Sequence, residues 1–330
     1  MRKRHDPVLH LVLCIFFVLT ILPFIFVLNN SVRTQSEQYR TYFALPEALK
    51  SSVRFTWYKL TGRADEIRLA VPKRTASGGA SETETAAANV SVQRLGYRAA
   101  MQHLGTSLAR GYHYAWRELR PYMLNTIVVC VATVLGVLLL GSVSGYVFSR
   151  YRFRGRRLLF TVLLSIIMIP PVLTLVPSFL LVKRLHLLNS YWVLILPYVA
   201  GGQIVAIFLF KSFFDGLPEE LFESARLEGA GHFALYRHIV LPLSGQVAAV
   251  VAVMNILGVW NNFMWPFITN SDSKYHVVAS GLYLMSESAV AQNFSAMYAA
   301  YILSSIPLII LFVYATKPFM QGVTSGAFKA

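Results

Sequence analysis

Residues Gly216 to Leu243 read GLPEELFESARLEGAGHFALYRHIVLPL, a polar island between long apolar runs. Pro218 suits a first helical position, and Glu219 and Glu220 suit a first turn, where they meet the positive end of the helix dipole. Leu217, Leu221 and Ala225 recur every four residues with Phe222 beside them, so one face is apolar. Gly229 and Gly231 then break the helix or allow a close approach. A second short helix is expected over about His232 to Val240, carrying Phe233, Tyr236, Ile239 and Val240. The plain alternative is an ordinary loop with an amphipathic helix.

The chain has 330 residues, of which 55% are hydrophobic and 14% charged, with a mean hydropathy of +0.53. Soluble proteins carry about 25% charged residues, so the composition predicts a membrane protein. A span takes about 20 residues. Six runs qualify: Val8–Leu28, Met123–Ser149, Leu158–Val182, Tyr191–Phe210, Gly245–Ile268 and Phe294–Thr316. No Lys, Arg, Asp or Glu falls inside them.

Lys and Arg in short loops set the orientation. The start, the second and fourth loops and the tail hold thirteen, including Arg150, Arg152, Arg154, Arg156, Arg157, Lys211, Arg226 and Arg237. The opposite short loops hold three, Lys183, Arg184 and Lys274. Both ends are therefore expected in the cytoplasm. The net charge of +15 needs no nucleic acid to explain it, because much of it sits beside anionic lipid headgroups. The stretch Tyr151 to Arg157 reads as a basic anchor of that kind.

Cys14 and Cys130 fall inside predicted spans and suggest neither a disulfide framework nor a metal site. The basic start resembles a signal peptide, but its apolar run is too long and no small-x-small site follows, so it reads as an uncleaved first span. Residues 29–122 form a long outer-side segment with 14 Lys/Arg and 7 Asp/Glu. Long loops cross largely regardless of charge. Its middle, Lys73 to Asn89, cannot bury a core and is expected to be flexible. Its flanks, Gln38 to Leu69 and Val92 to Arg117, are expected to form short helices. The segment either only connects or meets an outer-side partner.

Several polar or helix-breaking residues fall in or beside the spans. Ile169-Pro170-Pro171, Pro177, Pro197 and Gly201-Gly202-Gln203 read as helix packing or as hinges. Trp260 and Trp265 read as boundary aromatics. Asn255 must pair with another helix or line a wet path, and with Asn261 and Asn262 it marks a possible translocation path. Leu243-Ser244-Gly245-Gln246 resembles the LSGGQ signature of ABC ATPases with one glycine missing, and it opens a span. No G-x-x-x-x-G-K-[ST] phosphate loop exists in the chain.

Glu223, Ala225, Gly229, Ile239, Leu241 and Pro242 resemble the EAA loop of ABC-transporter permease subunits, with Ser224 in place of an alanine and Glu228 where Asp is common. The resemblance covers about Pro121 to Ala330 plus the first span. It is closest to the MalG-like subunits of carbohydrate importers, through Trp260-Asn261, Trp265-Pro266, Tyr275 to Gly281 and the tail Phe319 to Ala327.

The resemblance implies an all-α membrane protein with six transmembrane helices and the type I ABC importer permease fold. The domains implied are 1–28 (start and first span), 29–122 (outer-side insertion), 123–316 (five-helix core with the coupling loop 211–243) and 317–330 (tail). It also implies a bacterial inner-membrane location and a sugar-type solute, with a polyol, phosphodiester or peptide as the same-family alternative. The partners implied are a second permease subunit, an ABC ATPase dimer that binds the ATP, and an outer-side solute-binding protein. This chain would then hold no cofactor or metal and would not be an enzyme. Coupling to the ATPase would fall on Glu223, Ser224, Ala225, Glu228, Gly229, Ile239, Leu241 and Pro242. A secondary transporter is disfavoured by the absence of acidic residues in the spans, and a non-transporting scaffold does not need the six-span pattern.

The charge pattern sets a topology test. With Cys14 and Cys130 replaced, an impermeant thiol reagent should label Ser77→Cys and Ser273→Cys from outside, and Arg152→Cys and Arg226→Cys only after permeabilisation. Outside labelling at position 226 would refute the orientation.

Overall fold

In hydrocarbon every backbone N–H and C=O needs a partner within the protein, so apolar runs of this length fold as helices. The structure, a computed structural model, describes residues 7–327 apart from 35–36, 39–40, 42, 64–65, 73–89 and 289–292. The stretch Lys73 to Asn89 and the extreme ends of the chain lie outside the described residues. In order, the described helices are α1 (Pro7–Ser31), α2 (Glu47–Leu60), α3 (Tyr97–Arg150), α4 (Arg156–Ser165), α5 (Pro171–Arg184), α6 (Trp192–Asp215), α7 (Glu220–Leu227), α8 (His232–Leu235), α9 (Leu241–Leu243), α10 (Gly245–Trp260), α11 (Met264–Thr269), α12 (Val278–Glu287) and α13 (Phe294–Ala327). Two strands, β1 (Arg68–Pro72) and β2 (Val90–Arg94), separate α2 from α3.

The chain divides into two compact units. The first holds residues 1–118 and 285–303. Here the flank Gln38 to Leu69 contains the expected short helix, α2, and a strand pair follows it that was not expected. β1 and β2 pair antiparallel, with Arg68 opposite Arg94 and Pro72 opposite Val90. The expectation of an all-α chain is corrected by this hairpin. Its strands are only five residues long, too short for alternation to stand out in the sequence. Ala48 and Phe55 of α2 pack with Ile67, Ala100 and Leu104 in a small core of their own. The flank Val92 to Arg117 does not form a separate helix. Most of it is the start of α3, whose 54 residues run for about 80 Å. No break separates the segment from the second span at residue 122.

Where α1 ends, its last carbonyls need donors. The buried Arg33 side chain donates to the carbonyl of Glu37 at 2.7 Å and to Asn30 Oδ1 at 3.2 Å. Gln38 Nε2 donates to the carbonyl of Asn30 at 2.7 Å. Ser31 Oγ bonds Tyr112 Oη at 2.7 Å, and its carbonyl accepts from Ser295 Oγ at 2.9 Å.

The second unit holds residues 119–284 and 304–330. α3 and α6 meet along small residues. A Cβ on Gly136 would lie 2.8 Å from Val199, one on Gly141 2.7 Å from Ala206 Cβ, and one on Gly145 2.6 Å from Phe210 Cβ. Close backbone approach of this kind is how helices gain dispersion contact in lipid. At one end of the unit Asn125 is fully engaged. Its Nδ2 donates to the carbonyls of Lys274 (2.7 Å) and His276 (2.8 Å), and its Oδ1 accepts from Tyr191 Oη (2.8 Å). Thr126 Oγ1 accepts from the Val278 amide at 2.8 Å.

Two expected spans are not single straight helices. The run Leu158–Val182 is broken at Ile169-Pro170, where Arg156–Met168 and Pro171–Arg184 meet at 101°. Proline bars the helical region to the residue before it, and Ile169 is extended at ψ 118°. The run Gly245–Ile268 stops at Trp260 and restarts as α11 after Asn262. Among the described residues four helices are long and apolar enough to cross a membrane, or up to six if two bent pairs, Arg156–Met168 with Pro171–Arg184 and His232–Leu243 with Gly245–Trp260 (71°), each count as one span. Trp260 and Trp265, expected as boundary aromatics, are instead buried, and Trp265 Nε1 donates to the carbonyl of Val193 at 2.8 Å.

The α3–α6 seam has a direct consequence. Gly141→Leu places its side chain on Ala206 Cβ, which is fixed to the backbone and cannot swing away. Overpacking costs about 1–3 kcal/mol, so thermal unfolding in detergent should show a clearly less stable protein. Gly201→Ala, with nothing within 4 Å of the added Cβ, should unfold like the wild type.

Candidate functional site

The loop from Gly216 to Leu243 is built on the ends of α3 and α6. After α6 the chain turns through Gly216 to Glu219, and α7 starts at Glu220 with Glu219 as its N-cap. The start is two residues later than the position expected from Pro218. Glu220 and Glu223 occupy the first turn, where the helix dipole favours negative charge.

α7 ends in a Schellman motif. The Gly229 amide donates to the carbonyl of Arg226 (2.9 Å) and the Ala230 amide to that of Ala225 (2.9 Å). Gly229 has φ +84°, and a Cβ added there meets nothing within 4 Å. Its role in the fold is therefore the left-handed turn, not space for a neighbour.

The second arm begins at α8 and opens into a π-helical turn, Tyr236–Val240, before α9. Pro242 explains the opening. It has no N–H to donate, and its ring would clash with the carbonyl of His238 in a regular helix. A wider turn relieves this, and the Leu241 amide reaches back five residues to Tyr236.

Phe222, Leu235 and Val240 are buried with Phe210, Phe214, Tyr146, Val247 and Val251. This shared core fixes the two arms against α3, α6 and α10. Tyr236 Oη pairs with Ser142 Oγ at 2.8 Å, and the Tyr151 ring stacks on His232 at 4.1 Å. The strongest tie is Arg150. Its guanidinium donates to the carbonyls of Phe214 (2.6 Å) and Leu217 (3.1 Å), forms an ion pair with Glu219 and lies 3.8 Å above the Phe222 ring. Its side chain is 9% exposed. The sequence offered only its charge; the signal missed was its position at the last residue of a span, facing a loop rich in orphan carbonyls.

Of the eight expected coupling residues, five converge. Ser224, Ala225, Glu228, Ile239 and Pro242 line one open groove of about 410 Å³ between the two arms. Glu223, Gly229 and Leu241 do not line it. Glu223 is exposed and Leu241 46% exposed on the loop's surface. Leu227 and Phe233 stand out beside them at 90% and 74% exposure. The groove's other lining residues are Leu221, His238 and Leu243, so most of its wall is apolar, with Ser224, Glu228 and His238 as its polar groups.

The three asparagines of the possible translocation path are not gathered in one cavity. Asn255 donates to the carbonyl of Val251 in its own helix (2.8 Å), and its Oδ1 closes against Gly202 of α6. Asn262 Oδ1 accepts from the Trp265 amide in the first turn of α11 (3.2 Å). Asn261 is exposed and donates to the carbonyl of Leu257 (2.9 Å). In the loop between α11 and α12, burial holds the His276 imidazole below its usual pKa, with Asp272 pulling it back up. No group of three or more His, Cys, Asp or Glu able to hold a metal occurs among the described residues.

Comparison with known proteins gives the family. Residues 136–324 match the family described as binding-protein-dependent transport system inner membrane component. The chain is 33% identical over 221 residues to the diacetylchitobiose uptake system permease protein NgcG of Streptomyces coelicolor, covering 66% of this chain and 73% of that one. It is 34% identical over 208 residues to the maltodextrin transport system permease protein MalD of Streptococcus pneumoniae, covering 63% and 74%. Its fold matches a chain of the crystal structure of a bacterial ABC transporter involved in the import of the acidic polysaccharide alginate, with a TM-score of 0.63, 17% identity and coverage of 96% and 98%. With its apolar helices and its EAA-like loop, the chain thus belongs to the inner membrane components of binding-protein-dependent transport systems, multi-pass permeases of the bacterial inner membrane.

Proposed function

We propose that this chain is one permease subunit of an ATP-driven importer for a sugar-type solute, and that it couples to its ATPase through the Gly216 to Leu243 loop. A second permease subunit completes the pathway, a binding protein delivers the solute from outside, and an ATPase dimer supplies the ATP chemistry. The six apolar runs of the sequence would each cross the membrane once, and the Lys and Arg count would keep both ends in the cytoplasm. The solute class rests on the relatives named for oligosaccharide uptake.

One observation carries the coupling role. Five residues of the EAA-like pattern, drawn from both arms of the loop, line a single groove together with the exposed Leu221 and Leu243. Arg150 and the buried Phe222 hold that groove rigidly on the membrane helices. A push on the loop from a closing ATPase therefore reaches α3, α6 and α10 without being absorbed by local flexing.

Uptake of labelled oligosaccharide into vesicles, with binding protein added and normalised to membrane expression, tests the role. Arg150→Gln removes charge-assisted hydrogen bonds worth about 1.5–3 kcal/mol. Glu219 is half exposed, so solvent screens that ion pair and the lower end applies. Uptake should fall about tenfold while the protein still inserts. Gly229→Leu forces a left-handed turn at roughly 1–2 kcal/mol and should impair uptake, whereas Gly229→Asn should stay near wild type. Wild-type uptake by both Arg150→Gln and Gly229→Leu would end the coupling role. Uptake of a polyol in place of sugar would change the solute and leave the coupling intact.

A further inference from the structure

The turn between α3 and α4 carries charges that the coupling loop does not use. Arg156, Arg157 and Lys211 line an open groove of about 680 Å³ with Phe153, Leu158 and Phe160, and no carboxylate lines it. Lys211 is already paired with Asp215, and its ammonium lies 5.0 Å from the Phe160 ring centroid. Asp215 in turn accepts from Ser149 Oγ at 2.6 Å, so its carboxylate is engaged on both oxygens. Arg156 donates one N–H to the carbonyl of Tyr151 at 3.1 Å. Arg157 makes no ion pair among the described residues. The groove therefore keeps two positive charges without an anion.

The apolar surface beside the groove points to the occupant. Leu158, Leu159 and Val162 of α4 and Ile166 just after it are all exposed, Leu158 at 68%. In an inner-membrane protein such a face is solvated by hydrocarbon. The groove thus sits where acyl chains give way to headgroups, cationic on one side and apolar on the other.

We propose that this groove is a specific site for an anionic phospholipid, with its phosphodiester held by Arg156 and Arg157 and its acyl chains laid along α4. The guanidinium fork matches phosphate geometry better than an ammonium does. A built site differs from the diffuse attraction that any basic turn exerts on anionic lipid. Arg152 and Arg154 belong to the same turn, are exposed and do not line the groove, so they form an internal control. The site does not depend on the ATPase-coupling role or on which leaflet the turn faces.

Native mass spectrometry of the purified permease complex, titrated with cardiolipin, phosphatidylglycerol and phosphatidylcholine, tests it. The anionic lipids should saturate one site that phosphatidylcholine does not compete for. The pair Arg156→Gln and Arg157→Gln should weaken anionic lipid roughly tenfold or more, at about 1 kcal/mol per basic residue. The pair Arg152→Gln and Arg154→Gln should leave that affinity nearly unchanged. If the first pair does not assemble, Arg157→Gln alone carries the same comparison, because its side chain holds no ion pair in the fold. Equal loss in both pairs would overturn the site in favour of diffuse attraction. Displacement of the lipid by inorganic phosphate would make a soluble anion the ligand. Loss of copurified ATPase with lipid binding unchanged would make the groove a protein-docking surface.

Discussion

The Arg150 guanidinium is the constraint on which the Gly216 to Leu243 loop depends. It sits at the end of α3, almost buried, and meets the Phe214 carbonyl in the last turn of α6, the Leu217 carbonyl just beyond it, the Glu219 carboxylate and the face of Phe222. A buried charge is costly unless its donors are met, and here the terminal nitrogens are met by the end of α6 and by Leu217 and Glu219 of the loop. The chain after α6 is therefore held in one turn, and α7 starts where that turn leaves it. The same side chain explains why Phe222 is buried while Leu221 and Leu227 are exposed. The apolar face of α7 is turned onto Arg150 and the shared core, and its other face is left outward.

From α7 outward, each local choice agrees with the next. The Schellman turn at Gly229 reverses the chain. The π-helical turn ahead of Pro242 then brings Ile239 and Pro242 back beside Ser224 and Ala225. Two backbone irregularities, a left-handed glycine and a wide turn, thus assemble one groove from two arms. The small-residue seam Gly136, Gly141 and Gly145 seats α6 closely against α3, so the elements to which the loop is tied are themselves in close contact.

Much of this was legible in the sequence for physical reasons. Uninterrupted apolar runs have few alternatives in hydrocarbon, so the long helices α1, α6 and α13 lie close to where they were expected. The break at Gly229 followed from glycine's access to positive φ. What was not legible lies where neighbours decide. Pro170 was visible as helix punctuation, but whether it would bend the chain gently or by 101° depends on packing. The β1–β2 hairpin was too short to announce itself. Arg150 looked like any other basic anchor, since nothing in the sequence says which carbonyls a span-terminal arginine will meet. Trp265 has the composition of a boundary residue, and only the Val193 carbonyl reveals it as a buried donor.

The coupling role makes a spatial claim that one measurement reaches most directly. Leu227 and Phe233 are the most exposed apolar residues of the loop and make no contribution to its core. In the native complex, with Cys14 and Cys130 replaced, Leu227→Cys and Phe233→Cys should each form a short-reagent cross-link to the ATPase subunit, and its yield should change when ATP is added. A cysteine at Trp57, exposed on α2, should form none. Absence of any ATPase cross-link from positions 227 and 233 in a complex that transports its solute would contradict the role assigned to the loop.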